Sequence, residues 1–227
     1  MKLGIIGSGT IVQEFLPKLC KLEGLEIKGI QGVTSQLDNI KNLCNENNVE
    51  LATDSFETLL QSDIDTLYVA VPNALHFEYC KKGLENGMNI IVEKPMTSND
   101  HEANTLANIA KEKGLFLFEA ITTLYLGNYK KIEEWLPRIG DIKIVQSQYS
   151  QYSRRYDAFQ KGEILPVFDP KYSGGALMDL NVYNIHALID LFGKPVYHKY
   201  MANIERNIDT SGMLVLQYPN FVALCLA

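Results

Sequence analysis

The chain reads as an α/β protein: a doubly wound parallel sheet over residues 1–120, then an α+β region over residues 121–227 built on an open, mainly antiparallel sheet. Three observations carry that expectation. Short β-branched runs alternate with longer amphipathic segments through the first half, the pattern of βαβ units. Gly7 and Gly9 directly follow the first such run, where a strand would turn into a helix. After Ala120 the texture changes to runs of period two, which suit strands with one wet face.

In chain order, the first half predicts strands at 2–6, 27–33, 67–71, 89–92 and 115–118, with a weaker one near Glu50. Helices fall between them at 10–22, 36–47, 55–61, 74–86 and 99–113. Gly87 and Gly114 stand where helix C-caps are needed, each just before a strand. The second half predicts strands at 142–152, 196–205, 213–218 and 221–226, the last two joined by a turn at Pro219-Asn220. One long helix, 175–192, lies against them. The closing stretch FVALCLA ends in an apolar strand without a polar cap, so the second sheet is expected to be incomplete, covered by a partner or continued by further chain.

A composition of 46% hydrophobic and 21% charged residues is ordinary for a globular chain, and a net charge of −6 with scattered lysines and arginines argues against a nucleic-acid surface. Small molecules are the expected partners. Four cysteines without CxxC spacing suggest neither a metal site nor a disulfide framework, and fit the cytoplasm. The glycine-interrupted start is a poor secretory signal, and no apolar run approaches the roughly 20 residues of a membrane span.

The stretch Gly7-Ser8-Gly9-Thr10-Ile11-Val12, between strand and helix, has the first two glycines of a dinucleotide fingerprint. The first allows a tight turn, and the second lets backbone N–H groups approach a pyrophosphate at the helix N-terminus. A plain βα turn explains the same residues, and Val12 replaces the usual small third residue. About 20 residues on, where an adenosine ribose is read, the stretch 30–36 has neither a carboxylate for NAD nor an arginine for a 2′-phosphate. Thr34, Ser35 and Gln36 offer hydrogen bonds there, with Lys41 a turn beyond, a slight preference for NADP over NAD.

Pro72 ends a strand, and Asn73 is a good N-cap for the next helix, again at the carboxyl edge where open α/β sheets bind ligands. His76 reads as a hydrogen-bonding histidine beside that site rather than a catalyst. At the end of the next strand, Pro95 restricts the backbone of Lys94 and raises the chance of a cis peptide. Glu93 and Lys94 are either a solvated pair or a functional one, in which the lysine stabilises charge on a substrate oxygen or exchanges a proton. On helix 175–192, Asp179, Tyr183, His186 and Asp190 fall in a stripe about 60° wide on an otherwise apolar helix, which is either its solvent face or a site.

Gly7-x-Gly9, Pro72-Asn73-x-x-His76, Glu93-Lys94-Pro95 and GGALMDLNVYNIHALIDLFG occur in the order and approximate spacing of the Gfo/Idh/MocA family of NAD(P)-dependent oxidoreductases, which the chain resembles over essentially its whole length. The resemblance implies a Rossmann domain and an α+β domain with the active site between them, and an open sheet that often mediates oligomers. It implies that Lys94 lies near nicotinamide and substrate, that Tyr183 relays the substrate proton, and that Asp179 binds or orients a substrate hydroxyl. The tyrosine at 183 looks most like the dihydrodiol dehydrogenase and glucose-fructose oxidoreductase branch. A tyrosine with a pKa near 10 needs a nearby cation such as Lys94 to act as a base, and His186 is the alternative relay. Sugars, polyols and dihydrodiols are the implied substrates, handled by a homodimer or higher homo-oligomer.

Three residues depart from the pattern: Val12, Gln36 where NADP-using relatives often have arginine, and Asn181 where the family usually has glycine. The chain also stops before the family's usual end. The rival reading is a non-catalytic NAD(P)-binding sensor on the same fold. Tyr149, Tyr152, Arg154, Arg155, Tyr156 and Phe159 line either a substrate pocket or an oligomer surface.

Overall fold

A computed structural model describes residues 1–227, which divide into two compact units, Met1–Ala120 and Ile121–Ala227. The first holds β1 (Lys2–Ile6), β2 (Glu26–Gln31), β3 (Leu51–Thr53), β4 (Thr66–Val69), β5 (Asn89–Val92) and β6 (Leu117–Glu119) in one parallel sheet of order β3-β2-β1-β4-β5-β6. This order reverses direction between β1 and β4, the point at which a doubly wound sheet opens a crevice at its carboxyl edge. The helices are α1 (Thr10–Leu19), α2 (Leu37–Asn47), α3 (Phe56–Leu60), α4 (His76–Glu85) and α5 (Asp100–Lys113).

Alternation along β4 shows how both faces are covered. Leu67 and Val69 enter a core with Leu59, Cys80, Leu84 and Leu106, whereas Tyr68 and Ala70 enter the opposite core with Val12, Leu16, Ile40 and Cys44. Each large aliphatic side chain buried this way contributes about 1.5–3 kcal/mol, so the two layers hold the sheet edge rigid beneath the loops it carries.

Two boundaries differ from the sequence expectation for visible reasons. Helix α1 ends at Leu19 because the chain tightens there, the Lys21 and Leu22 N–H groups bonding three residues back to Lys18 O and Leu19 O at 3.1 and 3.0 Å before Gly24 turns left-handed at φ 76°. Strand β6 begins at Leu117 rather than 115 because Gly114, in the left-handed region at φ 66°, closes α5 and the Leu115 N–H is spent on Ala110 O at 2.9 Å. The start of α5 is capped as its sequence suggests: Asn99 Oδ1 accepts from the Glu102 N–H at 3.0 Å, and Glu102 accepts in turn from the Ser98 N–H at 3.0 Å.

The second unit contains α6 (Gly127–Trp135), β7 (Ile144–Gln148), α7 (Tyr156–Gln160), α8 (Val182–Phe192), β8 (Tyr197–Glu205), β9 (Ile208–Gln217) and β10 (Val222–Leu226). Its sheet, ordered β7-β10-β9-β8, is antiparallel at β8/β9 and β9/β10 and parallel at β7/β10, hence mixed but mainly antiparallel. One face packs on α8 through Leu188, Leu214, Leu216, Ala223 and Cys225. Register puts Met201, Met213, Val215, Val222 and Ile144 on the other face, with Met201, Val222 and Ile144 exposed. Strand β9 starts five residues earlier than its apolar run suggests. Arg206 and Asn207, both at positive φ (48° and 66°), make a two-residue hairpin turn that draws the polar stretch 208–212 into pairing with β8. No helix is long and apolar enough to cross a membrane.

Candidate functional site

The carboxyl edge of the first sheet gathers three of the predicted segments, because β1, β4 and β5 are consecutive neighbours. At the end of β1, Gly7 sits at φ 108°, and a Cβ there would stand 2.1 Å from Ala70 O, so only glycine fits. Its N–H donates to Gln31 O at 2.8 Å. Gly9 is different. It is the N-cap of α1 with an ordinary φ of −69°, and an added Cβ would meet nothing within 4 Å. No side chain caps that helix, so the N–H groups of its first turn, including Thr10 and Ile11, face the open space beside Gly9. Val12 is buried among Leu3, Ile5 and Leu16, so this helix seats on the sheet without a small third residue.

Ser8 joins the glycine turn to the ribose-reading segment by donating its hydroxyl to Gln36 Oε1 at 2.8 Å. Thr34, Ser35 and Gln36 form an exposed single 3₁₀ turn after β2. The Lys41 ammonium is paired with Asp38 at 3.2 Å.

After β4, Pro72 precedes a 3₁₀ turn at Asn73–Leu75, and α4 begins only at His76, so Asn73 opens a tighter turn instead of capping the α-helix. His76, expected among the nucleotide contacts, is fully buried, with Nδ1 2.8 Å from Pro95 O and Nε2 2.9 Å from Val71 O. The ring is enclosed with each nitrogen against a backbone carbonyl, so no edge of it is open to a cofactor, which corrects that expectation: His76 packs between two strand-end loops. Burial lowers its pKa, opposed by the two carbonyls and by the charges of Glu93 and Glu119.

The Lys94–Pro95 peptide is cis, and Lys94 is half-buried. Glu93 accepts the Tyr68 phenol proton at 2.5 Å, so this glutamate is tied into the sheet edge as well as following the lysine's strand. Burial, then the Glu93 charge, holds the Tyr68 phenol far above its usual pKa. On the other side the Met96 N–H donates to Glu119 Oε1 at 2.8 Å. Sequence reasoning missed Tyr68 and Glu119, although a tyrosine in a buried strand needs a partner for its hydroxyl, and Glu119 ends a strand at the ligand edge.

In the second unit the Gly174-Gly175 pair is explained by close approach. A Cβ on Gly174 would stand 2.4 Å from Val167 O, and one on Gly175, at φ 102°, would stand 1.9 Å from Asp209 Oδ1. Asp209 uses that access to accept from the Leu177 N–H at 2.7 Å and the Tyr200 hydroxyl at 2.6 Å, closing over the start of the helix. That start is a π-helical turn, Leu177–Asn181, which spends an extra residue before α8 and rotates Asp179 relative to the helix beyond it.

The expected polar stripe is therefore divided. Asp179 lines a cavity of about 360 Å³ with Tyr152, Arg155, Tyr156, Glu205 and Thr210. Tyr183 stacks on Tyr149 at 4.6 Å and borders a separate, more apolar groove beside Tyr129 and Leu191. Asp190 accepts from the Tyr129 hydroxyl at 2.8 Å, and His186 is half-buried on α8. Phe159, expected in a pocket or an interface, is buried against Phe168 with the Arg206 guanidinium 5.2 Å above its ring. Asn181 is also fully buried: its Oδ1 accepts from Asn184 at 2.9 Å, Asn184 donates to Leu226 O at 3.0 Å, and the Ser147 hydroxyl donates to Asn184 at 2.7 Å. This network pins the helix to β7 and β10. No group of three or more His, Cys, Asp or Glu side chains is placed to hold a metal ion.

Residues 1–121 match the description "Oxidoreductase family, NAD-binding Rossmann fold", and residues 131–226 match "GFO/IDH/MocA C-terminal domain". Scyllo-inositol 2-dehydrogenase (NADP(+)) IolU of Bacillus subtilis (strain 168) is 32% identical over 230 residues, spanning 100% of this chain and 69% of that protein. Trans-1,2-dihydrobenzene-1,2-diol dehydrogenase of Xenopus tropicalis is 26% identical, over 96% of this chain and 65% of its own length. A crystal structure of KijD10, a 3-ketoreductase from Actinomadura kijaniata in complex with NADP and TDP-benzene, superposes with a TM-score of 0.86 at 24% identity, over 100% of this chain and 69% of that one. This chain thus spans about two thirds of each.

Proposed function

Because the chain belongs to the Gfo/Idh/MocA family of NAD(P)-dependent oxidoreductases, we propose that it moves a hydride between nicotinamide C4 and a carbinol carbon of a cyclic polyol, sugar or dihydrodiol. The observation that carries this reading is the convergence of the Gly7–Gly9 turn, the Pro72-Asn73 turn and Lys94 on one sheet edge. The open face at Gly9 and the uncapped first turn of α1 fit a pyrophosphate. The bound cofactor supplies the redox chemistry.

Gly7, Ser8, Gly9, Thr10 and Ile11 hold the pyrophosphate. Thr34, Ser35 and Gln36 meet the adenosine ribose, and NADP is preferred because this exposed turn offers hydroxyls and an amide but no carboxylate. The Bacillus subtilis relative, a scyllo-inositol 2-dehydrogenase (NADP(+)), supports the same preference. Pro72, Asn73 and Glu93 border the nicotinamide half. Lys94 donates to the substrate oxygen and stabilises negative charge as it develops. Tyr183 transfers the proton of that hydroxyl and Asp179 orients a neighbouring one, a pairing that requires the substrate to reach both the cavity that Asp179 lines and the groove that Tyr183 borders.

Residues 1–120 are the nucleotide-binding domain, and residues 121–227 serve substrate binding and self-association. The half-apolar outer face of the second sheet suits a homodimer or higher homo-oligomer in the cytoplasm. Calorimetric titration with NADPH and NADH in parallel, followed by a screen that includes scyllo-inositol and trans-1,2-dihydrobenzene-1,2-diol, tests the reading. Tighter binding of NADPH and turnover of one such alcohol is the expected result, and a folded chain that binds neither nucleotide would overturn it.

A further inference from the structure

A lysine beyond the end of a strand is aimed only as well as the peptide that carries it. Glu93 makes the last ladder contact, N–H to Val69 O at 2.9 Å, and from there the segment depends on side chains of other elements. Tyr68 of β4 binds the Glu93 carboxylate, Glu119 at the end of β6 accepts from the Met96 N–H, and His76 at the start of α4 meets Pro95 O. The last of these acts on the residue next to Lys94.

The His76 ring is fully enclosed, and both nitrogens face backbone carbonyls, which only accept. A neutral imidazole has one N–H to give. The ring therefore binds one carbonyl with a proton and lies against the other, and which carbonyl receives the proton decides which loop it holds. We propose that His76 is a positioning residue for the reaction: its Nδ1–H donates to Pro95 O, fixes the peptide that carries Lys94, and so sets the direction of the ammonium toward the substrate oxygen. In this tautomer Nε2 carries no proton and only lies against Val71 O at 2.9 Å, so the hold of the ring is on the Lys94 side. The inference rests on Lys94 acting as proposed above.

Three measurements on the full chain test it. Nitrogen-15 spectroscopy of the unmodified ring reads the tautomer: a protonated Nδ1 is expected, and a ring protonated at Nε2 alone overturns the proposal. His76→Asn keeps an amide nitrogen near the Nδ1 position, whereas His76→Gln keeps one near Nε2. With NADP⁺ and scyllo-inositol, kcat of the Asn variant should stay within about fivefold of the parent and that of the Gln variant should fall about 10–100-fold, with nucleotide affinity nearly unchanged in both.

The third readout needs no substrate. With lysines carrying ¹³C-dimethyl labels, the Lys94 resonance, assigned by its loss in Lys94→Arg, should move in the Gln variant and stay in place in the Asn variant. Equal losses of kcat and of melting temperature in both variants would mean a merely structural histidine. An unmoved Lys94 resonance in the Gln variant would likewise refute the proposal, and where scyllo-inositol is not turned over that resonance and the tautomer decide. Turnover retained in Lys94→Met would remove the lysine's role instead, leaving His76's hold on Pro95 measurable by itself.

Discussion

The two glycines of the first turn have different expected roles, tight turn and close approach, and different surroundings in the structure, so alanine at each should separate fold from function. At Gly7 an alanine must adopt φ near 108° and place its methyl 2.1 Å from Ala70 O. The backbone conformation costs about 1–3 kcal/mol, and displacing a neighbouring peptide costs about 1–3 kcal/mol more. Together these give a loss of about 2–6 kcal/mol, which at about 2–4 °C per kcal/mol is a large fall in melting temperature. At Gly9 the φ of −69° suits any residue and the methyl meets no atom within 4 Å. There alanine gains about 0.4–1 kcal/mol by restricting the unfolded chain and loses a similar amount as a poorer N-cap, so stability should change by less than about 1 kcal/mol. The methyl does, however, occupy the approach to the first turn of α1, and NADPH affinity should fall more than about tenfold, the equivalent of about 1.4 kcal/mol. Thermal unfolding and calorimetric titration of both variants make the comparison. A Gly9→Ala protein that binds NADPH within twofold of the parent, or a Gly7→Ala protein of unchanged stability, would refute the reasoning.

Three further outcomes are expected. Lys94→Met should abolish turnover and leave the NADPH dissociation constant nearly intact, checked by steady-state kinetics beside titration; retained turnover would sink the assignment. Asn184→Ala removes partners from Asn181, Leu226 O and Ser147 in a closed site, so it should cost about 2–4 kcal/mol in urea unfolding, and a loss under 0.5 kcal/mol would show that the network carries little. Burial raises the Cys44, Cys80 and Cys225 thiols from 9.0 to about 11, 12 and 11, while Cys20 is exposed. A thiol reagent at pH 8 should therefore titrate one cysteine in the native chain and four after denaturation. Because the folded chain keeps these protons longer, their share of stability is intact below pH 9 and is lost as pH rises through 11 to 12, which alkaline unfolding would display as a declining midpoint.

Much of the architecture was written locally. The alternation of β-branched runs and amphipathic segments predicted the six strands and five helices of the first unit to within a few residues, because strand and helix periods differ and each glycine stop sits at its own helix end. The Gly7–Gly9 turn and the Glu93-Lys94-Pro95 segment were legible for the same reason: each is defined within a few consecutive residues. Polar β9 was half missed, since its pairing comes from the Arg206-Asn207 turn and not from an apolar run. Helices α6 and α7 were missed as well.

What the linear order left open was decided by residues far apart in the chain. The sequence placed His76 at the nucleotide, whereas packing of α4 buried its ring between Val71 O and Pro95 O. A uniform α-helix put Asp179 and Tyr183 on one stripe, whereas the π turn under Asp209 sent them to different cavities. Tyr68 and Glu119 came to brace the Lys94 segment only because β4, β5 and β6 lie side by side. The sequence by itself determined the elements of the first unit, since periodicity and turn chemistry act over a few residues, and its short motifs carried the family resemblance. Only the tertiary structure decided which side chains hold and aim the candidate catalytic group, since a buried hydrogen-bonding group takes whatever partner the fold brings within about 3 Å.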